Sequence, residues 1–75
     1  MYLNQLKPGD KAIIRAINAP LALKRRLLEM GFTTNAAIKV VKEAPLTDPV
    51  EYCIRGCEVT LRKSEAAHIE VERVC

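Results

Sequence analysis

The sequence predicts a mainly-β domain: a small, partly open barrel of five short strands, with one α-helix after the first strand and a 3₁₀ turn before the last. Three observations predict it. Short runs rich in Ile and Val recur along the chain, each bounded by Gly, Pro or Asn. Only one stretch, Leu21 to Met30, carries apolar residues at helical spacing. With 75 residues, only about 60% of the unfolded chain's surface is buried on folding. Short twisted strands then cover one face by curling on themselves around a single core.

The elements follow in order. Leu6-Lys7-Pro8-Gly9-Asp10 reads as a turn, and KAIIRAI, Lys11 to Ile17, as the first strand. Asn18-Ala19-Pro20 reads as a helix start, with Asn18 or Ala19 as cap and Pro20 in the first helical position, where its missing N–H is no loss. In LALKRRLLEM, Leu23, Leu27 and Met30 fall on one helical face, and Leu21 and Leu28 form a second pair one heptad apart. Gly31 stands where a left-handed C-terminal cap belongs, and Phe32 is placed to fold back on the last turn. Thr33-Thr34-Asn35 is a turn, and AIKVVKE, Ala37 to Glu43, a second strand. Pro49 keeps Asp48 out of a helix, so the Pro45–Pro49 stretch is extended.

Val50 to Ile54 is a third strand with Val50, Tyr52 and Ile54 on one face. Arg55-Gly56 makes a tight hairpin turn into a fourth strand, Glu58 to Arg62, with Val59 and Leu61 inward. Lys63 to Ala67 suits a single 3₁₀ turn. Ile69 to Val74 is the last strand, with Ile69 and Val71 inward. The sum is a single domain over residues 1–75, a five-stranded barrel of the SH3-like type.

Composition narrows the function. Apolar residues make up 49% and charged residues 28%, an ordinary globular balance. No apolar run approaches the roughly 18 residues of a membrane helix, and MYLNQLKPGDK lacks the features of a secretory signal; the expected location is cytoplasmic. A net charge of +3 and three aromatics, Tyr2, Phe32 and Tyr52, leave little for nucleic acid to bind or stack on. The isolated glycines form no phosphate loop, so no GTP or other cofactor binding is expected.

Cys53, Cys57 and Cys75 with His68 fall short of a zinc motif, which wants close ligand pairs. Alternation places Cys53 on the outer face and Cys57 inward with Val59, so the two are expected to diverge. They are candidate metal ligands by residue type, and free packing thiols by spacing. A lone His68, with few acids near it and no room for a pocket, reads as an ordinary surface or edge histidine rather than a catalytic base. Lys24-Arg25-Arg26 is the more pointed feature. A helix turns about 100° per residue, so the run spreads over the exposed side. It is either a solvated face or, with Leu21 and Leu28, a basic and apolar surface that docks an acidic partner.

Together these residues resemble the FeoA family, small cytoplasmic accessory proteins of bacterial ferrous-iron uptake. The resemblance is carried by Leu6-x-x-Gly9, Arg26-Leu27-Leu28-Glu29-Met30-Gly31-Phe32, Ala44-Pro45-Leu46-x-Asp48-Pro49 and Arg55-Gly56. It continues through Leu61-Arg62-Lys63-x-Glu65-Ala66-x-x-Ile69-x-Val71, so that it spans nearly the whole chain in order. It departs at Thr34-Asn35, where the family has Pro-Gly, and at Thr47, where the family has Gly and a β-branched residue resists a left-handed backbone. The resemblance implies an SH3-like barrel without catalysis that acts by contact with the cytoplasmic, GTPase-bearing part of the FeoB membrane iron transporter. Leu21, Lys24, Arg25, Arg26 and Leu28 are the residues expected to make that contact. The same fold in the C-terminal domain of iron-dependent repressors supplies the alternative, a metal- or redox-responsive domain using Cys53 and Cys57. A small nucleic-acid-binding barrel is the third reading.

Overall fold

A computed structural model describes residues 1–43 and 48–74. The strands are β1 (Lys11–Ile17), β2 (Ala37–Glu43), β3 (Val50–Ile54), β4 (Cys57–Leu61) and β5 (Ile69–Val74). Helix α1 is Leu21–Glu29 and helical turn α2 is Lys63–Ala66. All pairings are antiparallel, in a five-stranded sheet of order β4-β3-β2-β1-β5. Among the described residues β4 and β5 do not pair, so the curled sheet stays open. Bulges at β1 (between Ile14 and Ala16) and at β2 (between Val40 and Lys42) sharpen the bend that lets one sheet wrap one core.

The core is the inner face of that sheet. Ile14, Ile38, Val40, Tyr52, Ile54, Leu61, Ile69 and Val71 are buried, joined by Leu27 from α1 and Ala66 from α2. The period-two pattern is followed closely in β3, where Val50, Tyr52 and Ile54 are buried and Glu51 and Cys53 are half-buried on the other side. Lys39 and Cys53 are register partners, so Cys53 shares the outer face with the exposed Lys39.

The structure adds one element and revises three expectations. Leu3–Gln5 forms a 3₁₀ segment too short to show a period in sequence; Leu3 and Leu6 plug the core, and the Met1 carbonyl accepts from the Val71 N–H at 2.8 Å. Neither Asn18 nor Ala19 caps α1. The first i→i−4 bond runs from Lys24 N–H to the Pro20 carbonyl (2.9 Å), making Pro20 the cap, while the Asn18 N–H is spent on the His68 carbonyl (2.8 Å). Cys57 is exposed rather than inward. It pairs with Ile54 at the hairpin end, on an edge strand where burial fades from Leu61 through the half-buried Val59 outward.

The turn before the last strand sits where expected, but its bonds are of both kinds. Glu65 N–H reaches the carbonyl three residues back, whereas Ala66 and Ala67 reach four residues back, which closes one α-turn. Arg62 precedes it as cap instead of ending β4. Arg55 and Gly56 have φ of 52° and 81°, the pair of left-handed residues that a type I′ hairpin requires. The Pro45–Pro49 stretch and Thr47 lie outside the described residues, apart from Asp48 and Pro49, which are joined by a cis peptide bond.

Candidate functional site

Helix α1 is fastened at its C-terminal end. Phe32 N–H donates to the Leu27 carbonyl (3.0 Å) and Gly31 N–H to the Leu28 carbonyl (3.1 Å), with Gly31 at φ 102°. Those two bonds and the apposed, fully buried Leu27 and Phe32 make a Schellman motif with its hydrophobic contact. The hairpin supports the same corner: the Arg55 guanidinium donates to Thr33 Oγ1 at 2.9 Å. Leu27 is fully buried, and Leu23 and Met30 pack half-buried against the core. Their common face fixes which residues α1 turns outward.

Of the five residues marked in the sequence, four share that outward side. Leu21, Lys24, Arg25 and Leu28 are spaced i, i+3, i+4 and i+7, within an arc of about 100° of the helix. Leu21 is 64% and Leu28 43% exposed. Lys24 and Arg25 are exposed, and among the described residues neither has a carboxylate within ion-pair reach. The face is thus two leucines interleaved with two uncompensated cations. Arg26 is turned away from it and pairs with Glu65 of α2. That carboxylate also accepts from the Arg62 N–H at 3.0 Å, so Arg26 ties α1 to α2.

The cysteines do not converge. Register places Cys53 opposite Lys39 and Glu58, and Cys57 opposite Ile54, so the two thiols leave the sheet on different faces. Both are free. Among the described residues no group of three His, Cys, Asp or Glu side chains is arranged to hold a metal. His68 is half-buried, its Nδ1 at 3.0 Å from the Asn18 carbonyl, where it pins the approach to α1. No helix among the described residues is long and apolar enough to cross a membrane.

Comparison with known proteins bears on the family of the chain. The FeoA domain model matches residues 1–73. The chain belongs to the FeoA family. It is 39% identical, over 99% of its own length and 100% of the relative's, to a Campylobacter jejuni protein described as Fe(2+) transport protein A. It is 45% identical over 99% of its length to a Porphyromonas gingivalis protein named as a fusion of Fe(2+) transport protein A with the Fe(2+) transporter FeoB, of which it spans 9%. The family is thereby linked to ferrous-iron transport and associated with FeoB. The solution structure of FeoA from Chlorobium tepidum superposes with a TM-score of 0.94 at 39% identity, covering 100% of this chain and 71% of that one. A zinc complex of Stenotrophomonas maltophilia FeoA, described as an SH3 domain protein, matches with a TM-score of 0.85 at 28% identity over 96% of this chain and 89% of that one. A manganese-dependent transcriptional repressor matches at 20% identity with a TM-score of 0.90, over 99% of this chain and 36% of that one; this is a likeness of fold alone.

Proposed function

We propose that this FeoA-family domain is a non-catalytic regulator of ferrous-iron uptake, working on the cytoplasmic side of the membrane through contact with the GTPase-bearing part of a FeoB-type transporter. The observation that carries the reading is the outward face of α1. Two exposed leucines beside Lys24 and Arg25 leave apolar surface and positive charge unsatisfied together, on a helix held rigidly by its C-terminal motif. In such a contact the leucines supply affinity, while the rim cations set on-rate and salt dependence. The Porphyromonas gingivalis fusion, in which a homologous domain and a FeoB transporter share one chain, supports the choice of partner. Contact alone regulates: a module that binds one conformation of the transporter better than another shifts the population toward it, with no chemistry of its own.

The experiment is a titration of the isotope-labelled domain with the soluble cytoplasmic domain of the cognate transporter, in each nucleotide state. Amide shifts centred on Leu21, Lys24, Arg25 and Leu28 are expected. Arg25→Glu is expected to weaken binding without changing the thermal midpoint. Arg26→Glu, which breaks the tie to Glu65, is expected to cost stability first. Shifts confined away from residues 18–32 in every nucleotide state would exclude α1 as the contact.

A further inference from the structure

A second charged surface lies on the outer face of the sheet. Register places Lys11 directly opposite Lys39, and Lys39 directly opposite Cys53. These three line a shallow, open groove of about 340 Å³ with Ala37 and Arg55. Like charges opposed across an antiparallel pair are destabilising, so the Lys11–Lys39 pair costs the fold something unless a counter-charge lies between them. Among the described residues neither lysine has a carboxylate within ion-pair reach. The carboxylates that share this side of the sheet are engaged or peripheral. Glu72 holds Arg15, Glu51 lies 4.0 Å from Lys42, and Glu58 stands beyond Cys53 on the edge strand. Among the described residues Arg55 bonds a neutral hydroxyl, that of Thr33, and no carboxylate.

We infer that this groove docks an acidic, extended segment of a protein partner, whose carboxylates sit between Lys11, Lys39 and Arg55. The groove is open and crosses β1, β2 and β3, too shallow to enclose a small anion. Its lining is partly apolar, with Ala37, Ile38 and Cys53 among the lysines, and the half-buried Ile13, register partner of Ala37, extends the same outer face beyond it. That mixture suits a peptide alternating acidic and apolar side chains. It does not suit a nucleic-acid strand, which wants stacking rings, because Phe32 and Tyr52 are buried in the core and the exposed Tyr2, bridged to Glu70, does not line the groove. The inference rests on the reading of this domain as a protein-contact module and adds a second contact, distinct from α1.

The probe is a fluorescein-labelled peptide of alternating glutamate and leucine, followed by anisotropy at low salt and by amide shifts. Expected are saturable binding that weakens with salt, shifts at Lys11, Lys39, Cys53 and Arg55, and binding about tenfold weaker in Lys11→Glu/Lys39→Glu. Should that charge reversal fail to fold, Lys11→Gln/Lys39→Gln serves, with a smaller loss. Arg25→Glu should bind the peptide as the wild type does. Absence of binding, equal binding by the lysine variants, shifts centred on α1, or equally tight binding of a thymidine oligonucleotide would each overturn the inference. The α1 reading is judged separately: Lys11→Glu/Lys39→Glu can lose the peptide while Arg25→Glu still governs binding of the transporter domain, and the reverse outcome is equally visible.

Discussion

Helix α1 has nine residues and no side-chain cap at its start, whereas turn α2 has four residues and is capped twice. Asp48 Oδ1 accepts from the Lys63 N–H at 2.9 Å, and Glu65 Oε1 accepts from the Arg62 N–H at 3.0 Å. The short element needs those bonds, because one turn has too few internal hydrogen bonds to hold itself. The long one buries only Leu27 fully, adds the half-buried Leu23 and Met30, the Arg26 tie and its C-terminal motif, and leaves its opposite face free. The comparison teaches where function has room. A segment capped twice at its start and buried at Ala66 is architecture. A helix anchored along one face and at one end presents the rest to a partner.

Leu27→Ala should have the largest effect of the substitutions in α1 and α2, about 2–5 kcal/mol. Urea denaturation measures it, and a loss below about 1 kcal/mol would mean that α1 is held by contacts not identified above. Gly31→Ala comes next, at about 1–2 kcal/mol, because an L-residue at φ 102° is strained. An added Cβ would meet Arg55 Cδ at 3.8 Å, an ordinary contact, so the cost is the backbone's alone. Asp48→Ala should cost about 1 kcal/mol by removing a cap from α2, with the amide shifts of Gly31 and Phe32 kept in place by the C-terminal motif of α1.

The smallest effect tests the far side of the sheet. Arg15 donates to Glu72, and also to Asn35 Oδ1 at 3.1 Å, holding the Glu72 carboxyl below the usual glutamate range through that hydrogen bond and then through its charge. A depressed folded pKa stabilises above the unfolded value and is lost as pH falls through the folded one. The gap in thermal midpoint between wild type and Arg15→Gln should therefore be present near neutrality and close below about pH 4. A gap that does not change with pH would remove Glu72 as its source.

The strands were legible because their side chains alternate and their ends carry breakers. The bounds of β1, β2, β3 and β5 follow from the isoleucine, valine and proline positions, and the end of α1 from Gly31-Phe32. What was not legible depends on tertiary placement. Leu3–Gln5 is too short to show a period. Asp48 caps a turn 15 residues away, and Arg26 meets Glu65 at a separation of 39. That last contact divides the basic run into free cations and a structural tie. Cys57 obeys the alternation of its strand, yet it is exposed because the hairpin end outruns the core. The Lys11–Lys39 pair needs a register that only the strand order supplies.

The central claim is that the outward face of α1 meets the transporter. The most direct measurement is the affinity of the soluble transporter domain for Arg25→Glu and Arg26→Glu side by side, each checked for its thermal midpoint. The expected result is weaker binding by Arg25→Glu at unchanged stability, with Arg26→Glu less stable but still able to bind. Wild-type binding by Arg25→Glu, or loss of binding only in Arg26→Glu, would contradict it.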